Sequence, residues 1–336
     1  MNNSVDDVAL SIPVANSGKA VQRPPISVIV PAYNVEKFIE ESINSIVSQT
    51  VGFDEVIVVN DGSTDSTRVK LKEYEDRGEI VVIDQENSGI GAARNAGLER
   101  ARGEYVYFMD SDDILENGFV KCIQNLLARQ RETDMVLFAG QDFCDKDGAP
   151  DCVCRMHDRK VSGVWESGIQ AALELDRKKT FSPVTWLYVS RRSLWMANKL
   201  RFWALPYEDQ EMINRLSSLA GLTIVAEHRL YRRRIREGSA VHSRLELRHR
   251  DAILGIFKSV VDMAGSAGCP EDHKAFLRGR MRPLFVKYMR VCHSLGGRPD
   301  IREYLQACRK LGWFPSLGLL MKYARYAVFF NRWLRY

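Results

Sequence analysis

Four short apolar runs in the first third of the chain alternate with segments that have the apolar spacing of helices. The runs are rich in β-branched and aromatic residues and comprise Ile26–Val30, Glu55–Val59, Glu79–Ile83 and Tyr105–Met109. Between the first two runs, one stripe of a predicted helix over 36–48 carries Phe38, Ile39, Ile43 and Ile46. This alternation predicts a mainly parallel sheet with helices on both faces, because nearly continuous apolar runs suit strands that are covered on both sides.

The rest of the chain has a mixed and then a helical pattern. A further strand is predicted at Met135–Phe138, a polar loop or hairpin at 141–159, and helices near 167–175 and 208–220. Residues 246–336 have mostly helical spacing, with breaks at Gly265, Pro270, Gly296, Gly297 and Pro315. We therefore expect an α/β domain and a C-terminal helical lobe, preceded by a loose polar leader at 1–24.

Composition and charge narrow the class of protein. The 336 residues are 45% hydrophobic and 27% charged, as in ordinary globular proteins. The net charge of +5 does not indicate a nucleic-acid partner, and we expect none. The seven cysteines are scattered without a CxxC pair, which is typical of reduced thiols in a cytoplasmic protein. We expect neither a secretory signal nor a transmembrane helix, because no basic and apolar leader and no apolar run of about 18 residues occurs.

An acidic cluster directly follows the fourth apolar run. Asp110, Ser111, Asp112 and Asp113 place three carboxylates at the mouth of a predicted buried strand, where like charges repel. A divalent cation relieves that repulsion, and hard oxygen ligands suit Mg²⁺ or Mn²⁺. The competing interpretation is a solvated turn, which Asp clusters often form.

Two other polar clusters follow predicted strands. Residues 31–34 (Pro-Ala-Tyr-Asn) come after the first strand, and 60–63 (Asn-Asp-Gly-Ser) after the second. Ligands of open parallel sheets bind beyond the carboxyl ends of the strands, where the Asp61 carboxylate can accept hydrogen bonds from a base or ribose. The alternative for Asp61-Gly62 is ordinary turn chemistry.

A segment of small residues, 88–97, precedes the fourth strand. Its glycines and alanines allow a helix to pack closely, with Ser88 as a candidate cap and an N-terminus open to an anion. Arg94, one turn in, suits a phosphate as a fork-shaped donor or, alternatively, a structural ion pair. The segment is neither a dinucleotide fingerprint nor a phosphate-binding P-loop.

Two charged clusters lie farther along. The acidic residues Glu208, Asp209 and Glu211 suit the first turn of a helix, or supply a general base to a cleft. The arginine-rich stretch 229–239 is interpreted as a solvated charged face or as a mobile basic loop that closes over a diphosphate.

The order and spacing of these motifs over residues 26–240 resemble those of family 2 glycosyltransferases. The resemblance implies a GT-A fold, a Rossmann-like mixed and mainly parallel sheet flanked by helices. It implies a nucleotide-binding half at 25–113, an acceptor half at 114–240 and a C-terminal helical region at 241–336. It also implies inverting transfer from a nucleotide-diphospho-sugar to a saccharide or lipid-linked acceptor, with a divalent metal, in polysaccharide or cell-surface glycan synthesis.

The resemblance also implies roles for individual residues. Asp209 matches the catalytic base. Asp112 and Asp110 match metal ligands, Asp110 with an alternative ribose contact, and His242 occupies the place of an additional metal or phosphate ligand. Asp113 is expected to point toward the donor sugar. The remaining expected nucleotide-sugar contacts are Pro31, Ala32, Tyr33, Asn34, Asp61, Gly62, Ser63, Arg94 and Ser111.

Other functions and partners remain open at the level of sequence. One alternative function is that of a nucleotidyltransferase. Such enzymes usually have a Gly-rich basic loop after the first strand, whereas this chain has Pro31-Ala32-Tyr33-Asn34 there. A second alternative is a non-catalytic relative that binds nucleotide sugars. Residues 319–336 form a basic and aromatic amphipathic pattern. The segment 316–336 is a candidate for covering its own domain, for homodimer contact, or for peripheral contact with the inner face of the cell membrane.

Overall fold

The computed structural model describes residues 23–144, 154–236, 245–265, 269–296 and 299–312. The chain divides into two compact units. Of the described residues, one unit contains 23–204 and 216–236, and the other contains 205–215 and those from 245 onward. The predicted leader (as far as residue 22), His242 and the segment 316–336 lie outside the described residues. The predicted boundary at 240 differs from this division because 205–215 groups with the C-terminal helices.

The first unit is built on one mixed sheet. Its strands are β1 Ile26–Ala32, β2 Glu55–Asp61, β3 Val81–Gln85, β4 Tyr105–Phe108, β5 Ile114–Leu115, β6 Met135–Cys144, β7 Met156–His157, β8 Gly163–Trp165, β9 Tyr188–Arg191 and β10 Thr223–Ile235. The order along the sheet is β3-β2-β1-β4-β9-β6-β10-β5, with β7 beside β6 and β8 beside β10. Strands β1 to β4 pair in parallel, and β9 lies antiparallel between β4 and β6. The predicted α/β class with a mainly parallel sheet is thereby confirmed.

Helices cover the sheet of this unit. They are α1 Ile39–Val47, α2 Thr67–Asp76, α3 Ile90–Arg100, α4 Phe119–Arg129, α5 Gly168–Arg177 and α6 Arg192–Ala197. Strands β1, β2 and β4 bury nearly every side chain, as their apolar runs predict, whereas the side chains of the edge strand β3 are half-buried or exposed. Helix α3 packs closely on β1, since a Cβ at Gly97 would lie 2.3 Å from Ile29 Cγ2. The small residues of this helix therefore serve the tight packing that the sequence predicts.

Several strand boundaries and one cap differ from expectation: β3 is Val81–Gln85 rather than Glu79–Ile83, and β6 continues to Cys144 instead of ending at Phe138. Strand β1 continues through Ala32 and β2 through Asp61, so these residues are paired in the sheet rather than in loops. The predicted cap by Ser88 is wrong: Gly89 is the N-cap residue of α3, and the Ser88 hydroxyl donates to the Glu86 carbonyl instead. Gly89 has φ +88°, a conformation that favours glycine.

The second unit is helical in its described part. Helix α7, Glu208–Leu219, contributes its first eight residues to it, and α8 Leu247–Gly265, α9 Glu271–Ser294 and α10 Arg302–Lys310 follow. Its core includes stacked and tilted rings of Phe257, Phe285 and Tyr304. The predicted breaks at Gly265 and Pro270 separate α8 from α9. None of the helices among the described residues is long and apolar enough to cross a membrane.

Candidate active site

The loops after β1 and β2 are joined to each other at the carboxyl edge of the sheet. The Asn34 Oδ1 accepts a hydrogen bond from the Thr64 N–H at 2.8 Å, and the Asn34 N–H donates to the Ser63 hydroxyl at 3.2 Å. Pro31 and Ala32 are buried at the end of β1, whereas the Tyr33 side chain is 47% exposed. The parallel pairing of β1 and β2 thus brings the two predicted nucleotide-binding clusters together.

The Asp61 carboxylate fastens the segment that leads into α3. Its Oδ1 accepts from Gln85 Nε2 at 2.6 Å and from the Ser88 N–H at 2.9 Å, and its Oδ2 accepts from the Gly89 N–H at 2.9 Å. Gly62 follows at φ +70°, where a Cβ would lie 2.7 Å from the Asn87 nitrogen. Asp61 is 2% exposed, so its observed partners are protein groups, and contact with a base edge stays a prediction.

The acidic turn, which we define as Asp110–Asp113, is surrounded by arginines from two directions. Arg94 Nη2 donates to Asp110 Oδ1 at 2.8 Å, and Arg236 Nε donates to Asp112 Oδ2 at 2.6 Å. The Arg94 side chain is 3% exposed and lies over the Phe202 ring at 5.3 Å. Arg94 therefore makes the ion pair that the sequence left as an alternative, and its contact with a nucleotide stays a prediction.

Asp113 points into the protein rather than to the surface. Its Oδ2 accepts from the Tyr231 hydroxyl at 2.5 Å, and its Oδ1 accepts from the Arg234 N–H at 2.6 Å. Burial, and next the neighbouring carboxylates of Asp112 and Asp110, raise the pKa of Asp113 well above its usual range despite these two donors. The observed partners tie the acidic turn to β10, and the expected direction toward a donor sugar stays a prediction.

Arg234 completes this connection. Its Nε donates to the Asp112 carbonyl at 2.8 Å, and its Nη2 pairs with Glu41 of α1. The guanidinium lies between Phe38 and Phe143, 5.1 Å and 4.6 Å from the ring centroids. With its side chain 3% exposed, Arg234 is a buried residue of the sheet.

The predicted mobile loop is therefore wrong for 229–235, whereas the predicted solvated face holds in part, since Arg229 and Arg232 are 46% and 37% exposed and only Arg234 is buried. These residues belong to β10 and pair with β6, and Arg233 forms a two-bond ion pair with Asp142. The sequence signal that indicates a strand was the apolar flank of the arginines, Leu230, Tyr231 and Ile235. Residues 237–239 of the predicted loop lie outside the described residues.

The acidic turn offers few but suitable ligands for a cation. Within the described part of the chain, no group of three or more His, Cys, Asp or Glu side chains converges as a metal site. Mg²⁺ and Mn²⁺ are nevertheless commonly held by one or two carboxylates together with substrate phosphates. Asp110 and Asp112 fit that requirement because both are partly exposed carboxylates, with side chains 29% and 19% exposed.

The predicted base belongs to the second unit. Asp209 is the second residue of α7, and its Oδ1 accepts from the Gln210 N–H at 2.7 Å. Tyr207 precedes the helix at φ +62°, and its carbonyl accepts from the N–H groups of Gln210 and Glu211. The helix start therefore holds Asp209 by backbone geometry, and its role as base stays a prediction.

Comparison with known proteins supplies the family. The model of the family described as Glycosyl transferase family 2 matches residues 27–154. Glycosyltransferase GlyA of Streptococcus pneumoniae is 31% identical over 264 residues, covering 75% of this chain and 36% of that protein. Minor teichoic acid biosynthesis protein GgaB of Bacillus subtilis is 40% identical over 115 residues, covering 33% and 13%. The chain thus spans about a third or less of these two curated relatives.

Solved structures share the fold over most of the chain. S. aureus TarS 1-349 in complex with UDP-GlcNAc superposes with a TM-score of 0.63 at 23% identity, covering 84% of this chain and 81% of that one. A mannosyltransferase from Pyrobaculum calidifontis in complex with GDP-Man and Mn²⁺ gives 0.55 at 17% identity, covering 96% and 86%. Over residues 27–154 the chain matches the family 2 glycosyltransferases, and its fold is the GT-A fold of the solved structures.

Proposed function

We propose that this protein is an inverting glycosyltransferase. It transfers a sugar from a nucleotide-diphospho-sugar to a hydroxyl of a saccharide or lipid-linked acceptor. The observation that carries the proposal is the convergence of the β1, β2 and β4 ends on one sheet edge that includes the acidic turn. The family membership of residues 27–154 and the UDP-sugar bound by TarS support the same donor class.

The donor nucleotide lies at this sheet edge in the proposal. Exposed Tyr33 supplies an aromatic face for a base, and the joined loops at Asn34 and Ser63 supply polar groups around it. Asp61 acts by fixing the segment before α3, so that the backbone presented to the nucleotide is rigid. Arg94 supplies positive charge beneath the acidic turn.

Asp110 and Asp112 are the proposed ligands of a divalent cation, Mg²⁺ or Mn²⁺. When bound, such an ion supplies positive charge to the diphosphate that leaves. The Mn²⁺ of the structurally similar mannosyltransferase supports this assignment. Arg236, which pairs with Asp112, and Arg94, which pairs with Asp110, hold the two carboxylates in place.

Asp209 is the proposed general base. Its carboxylate takes the proton of the acceptor hydroxyl while that oxygen forms a bond to the anomeric carbon. The bond from the anomeric carbon to the diphosphate oxygen breaks, and the diphosphate keeps the electron pair. Attack from the face opposite the leaving group inverts the anomeric centre.

The acceptor is proposed to be a cell-surface glycan or its lipid-linked precursor. Support comes from the similarity to GgaB, a protein of teichoic acid biosynthesis. Such an acceptor agrees with a cytoplasmic enzyme that works at the inner face of the membrane.

A transfer assay with Asp209→Asn tests the proposal. Nucleoside diphosphate release from a panel of nucleotide sugars is measured with and without glycan acceptors, beside Glu208→Gln as the matched control on the same helical turn. We expect Asp209→Asn to lose about 10²- to 10⁴-fold in turnover, because it lacks the base, and to bind the donor as wild type does. Substantial turnover by Asp209→Asn would refute the base assignment.

A further inference from the structure

The end of β6 and the approach to β7 bring two cysteines together. The Asp142 N–H donates to the Arg155 carbonyl at 2.8 Å, and the Arg155 N–H donates to Asp142 Oδ2 at 3.1 Å. Cys144 ends β6, Cys154 directly precedes Arg155, and their Sγ atoms lie 3.1 Å apart. The pairing of backbone groups at Asp142 and Arg155 thus holds the two sulfurs in contact.

The two sulfurs are in different chemical states. Cys144 is disulfide-bonded, whereas Cys154 is a free and exposed thiol. The Cys144 sulfur therefore carries no proton, and the Cys154 thiol is the donor in the contact between them. The reduced state that the sequence predicts holds for Cys154 but not for Cys144, because the fold rather than a CxxC spacing decides which sulfurs meet.

The other described cysteines are placed differently. Three free thiols are buried, and burial raises the pKa of each: Cys122, Cys292 and Cys308. A thiol attacks a disulfide only after it has lost its proton, so these three are poor nucleophiles. Cys269 is free and partly exposed, but its Sγ contacts the Pro270 carbonyl at 3.9 Å rather than a sulfur. Among the cysteines that the structure describes, Cys154 is thus the exposed thiol in contact with an oxidised sulfur.

We propose that Cys144 and Cys154 form a thiol–disulfide exchange site. The Cys154 thiolate attacks the Cys144 Sγ, and a disulfide between these two residues forms. The bond from Cys144 to its present partner breaks, and that sulfur leaves with the electron pair and takes up the proton that Cys154 has lost. One disulfide is consumed and one is made, so the step needs no oxidant. Disulfides of cytoplasmic proteins are usually transient or redox-sensing, which suits such a site.

Exchange at this place acts beside the arginine network of the candidate active site. Phe143 directly precedes Cys144, and the centroid of its ring lies 4.6 Å from the guanidinium carbon of Arg234. Arg234 Nε in turn donates to the Asp112 carbonyl of the acidic turn at 2.8 Å. The two disulfide pairings of Cys144 hold Phe143 differently, and so they differ in how firmly Arg234 holds the acidic turn. The exchange itself does not rest on the proposed function.

Disulfide mapping by mass spectrometry tests the exchange. Full-length wild type is equilibrated with reduced and oxidised dithiothreitol at defined ratios, quenched with acid and digested. We expect peptides joined by a Cys144–Cys154 disulfide beside peptides in which Cys144 keeps its other partner. Cys154→Ser should lose the first kind, whereas the matched control Cys269→Ser should keep both. If no Cys144–Cys154 disulfide forms at any ratio, the proposal is wrong, whatever the protein binds.

Nucleotide binding tests the effect on the acidic turn. The affinities of wild type, Cys154→Ser and Cys269→Ser for UDP, GDP, CDP and ADP are measured with Mn²⁺. Without dithiothreitol we expect the Kd values of wild type and Cys154→Ser to differ by about fivefold, whereas full reduction should make them equal. Equal affinities without dithiothreitol would overturn the effect on the acidic turn. Absence of binding in every variant would contradict the proposed function, while the mapping still decides the exchange.

Discussion

The Tyr231→Phe substitution isolates the hydrogen bond that ties the acidic turn to β10. It removes only the hydroxyl that donates to Asp113 Oδ2 at 2.5 Å, and it keeps the ring that stacks on Trp186 at 4.7 Å. Asp113 is 2% exposed, so water does not replace the lost donor. An unsatisfied group of this kind lowers the free energy of unfolding by about 1–3 kcal/mol, which lowers Tm by roughly 2–12 °C for a unit of this size.

Tyr105→Phe is the matched control. Tyr105 is equally buried, and its hydroxyl donates to the Thr133 carbonyl at 2.6 Å, so its loss also destabilises. Only Tyr231→Phe loosens the acidic turn, and we expect it alone to weaken Mn²⁺-dependent nucleotide binding, by about tenfold. Calorimetric titration of nucleotide and thermal unfolding measure the two effects. The reasoning is refuted if Tyr231→Phe is as stable as wild type, or if both variants weaken binding equally.

Two further substitutions test the packing and the pH dependence of the first unit. A Cβ at position 97 would lie 2.3 Å from Ile29 Cγ2, so the side chain of Gly97→Val does not fit between α3 and β1. We expect chemical denaturation to show a free energy of unfolding lower than that of wild type by about 1–3 kcal/mol. Burial of Asp142 raises the pKa of its carboxyl. Hydrogen bonds from His157 and Arg233 more than offset the effect of burial, so the pKa of Asp142 lies below its ordinary value. The ionised Asp142 carboxylate therefore stabilises the folded protein above about pH 4, where an Asp in the unfolded chain titrates. That stabilisation is lost as the pH falls through the lower pKa of Asp142 in the folded protein. Acid unfolding of Asp142→Asn should therefore show a flatter pH dependence below about pH 4, and an unchanged slope would contradict the assignment.

The sheet could be predicted from the sequence because its signal is local. The runs at β1, β2 and β4 carry consecutive apolar residues that only a strand covered on both faces buries. Parallel pairing then brings the carboxyl ends of these strands to one edge, so the sequence alone predicts that Asn34, Asp61 and Asp110 lie in one region.

The arginine network could not be predicted because its burial depends on distant partners. The partners that bury Arg234 are Glu41 of α1, Phe38 at the start of that helix, and Phe143 of β6. They are far from residue 234 in the chain, so the sequence around Arg234 does not indicate its burial. Asp113 looked equivalent to its acidic neighbours, and only the Tyr231 hydroxyl distinguishes it. The same holds for Lys287 of α9, whose Nζ lies 3.4 Å from the centroid of the Tyr207 ring, eighty residues earlier in the chain.

A thermal-shift measurement with nucleoside diphosphates tests the central claim most directly. Wild type and Asp112→Asn are each heated with UDP, GDP, CDP or ADP, with and without Mn²⁺. The account predicts that one nucleotide stabilises wild type in a Mn²⁺-dependent way, by about 2.7 kcal/mol at a ligand concentration one hundred times its Kd. Asp112→Asn should lose the Mn²⁺-dependent part while it unfolds at nearly the wild-type temperature without ligand. Absence of stabilisation by every nucleotide, or an equal response in Asp112→Asn, would contradict the account.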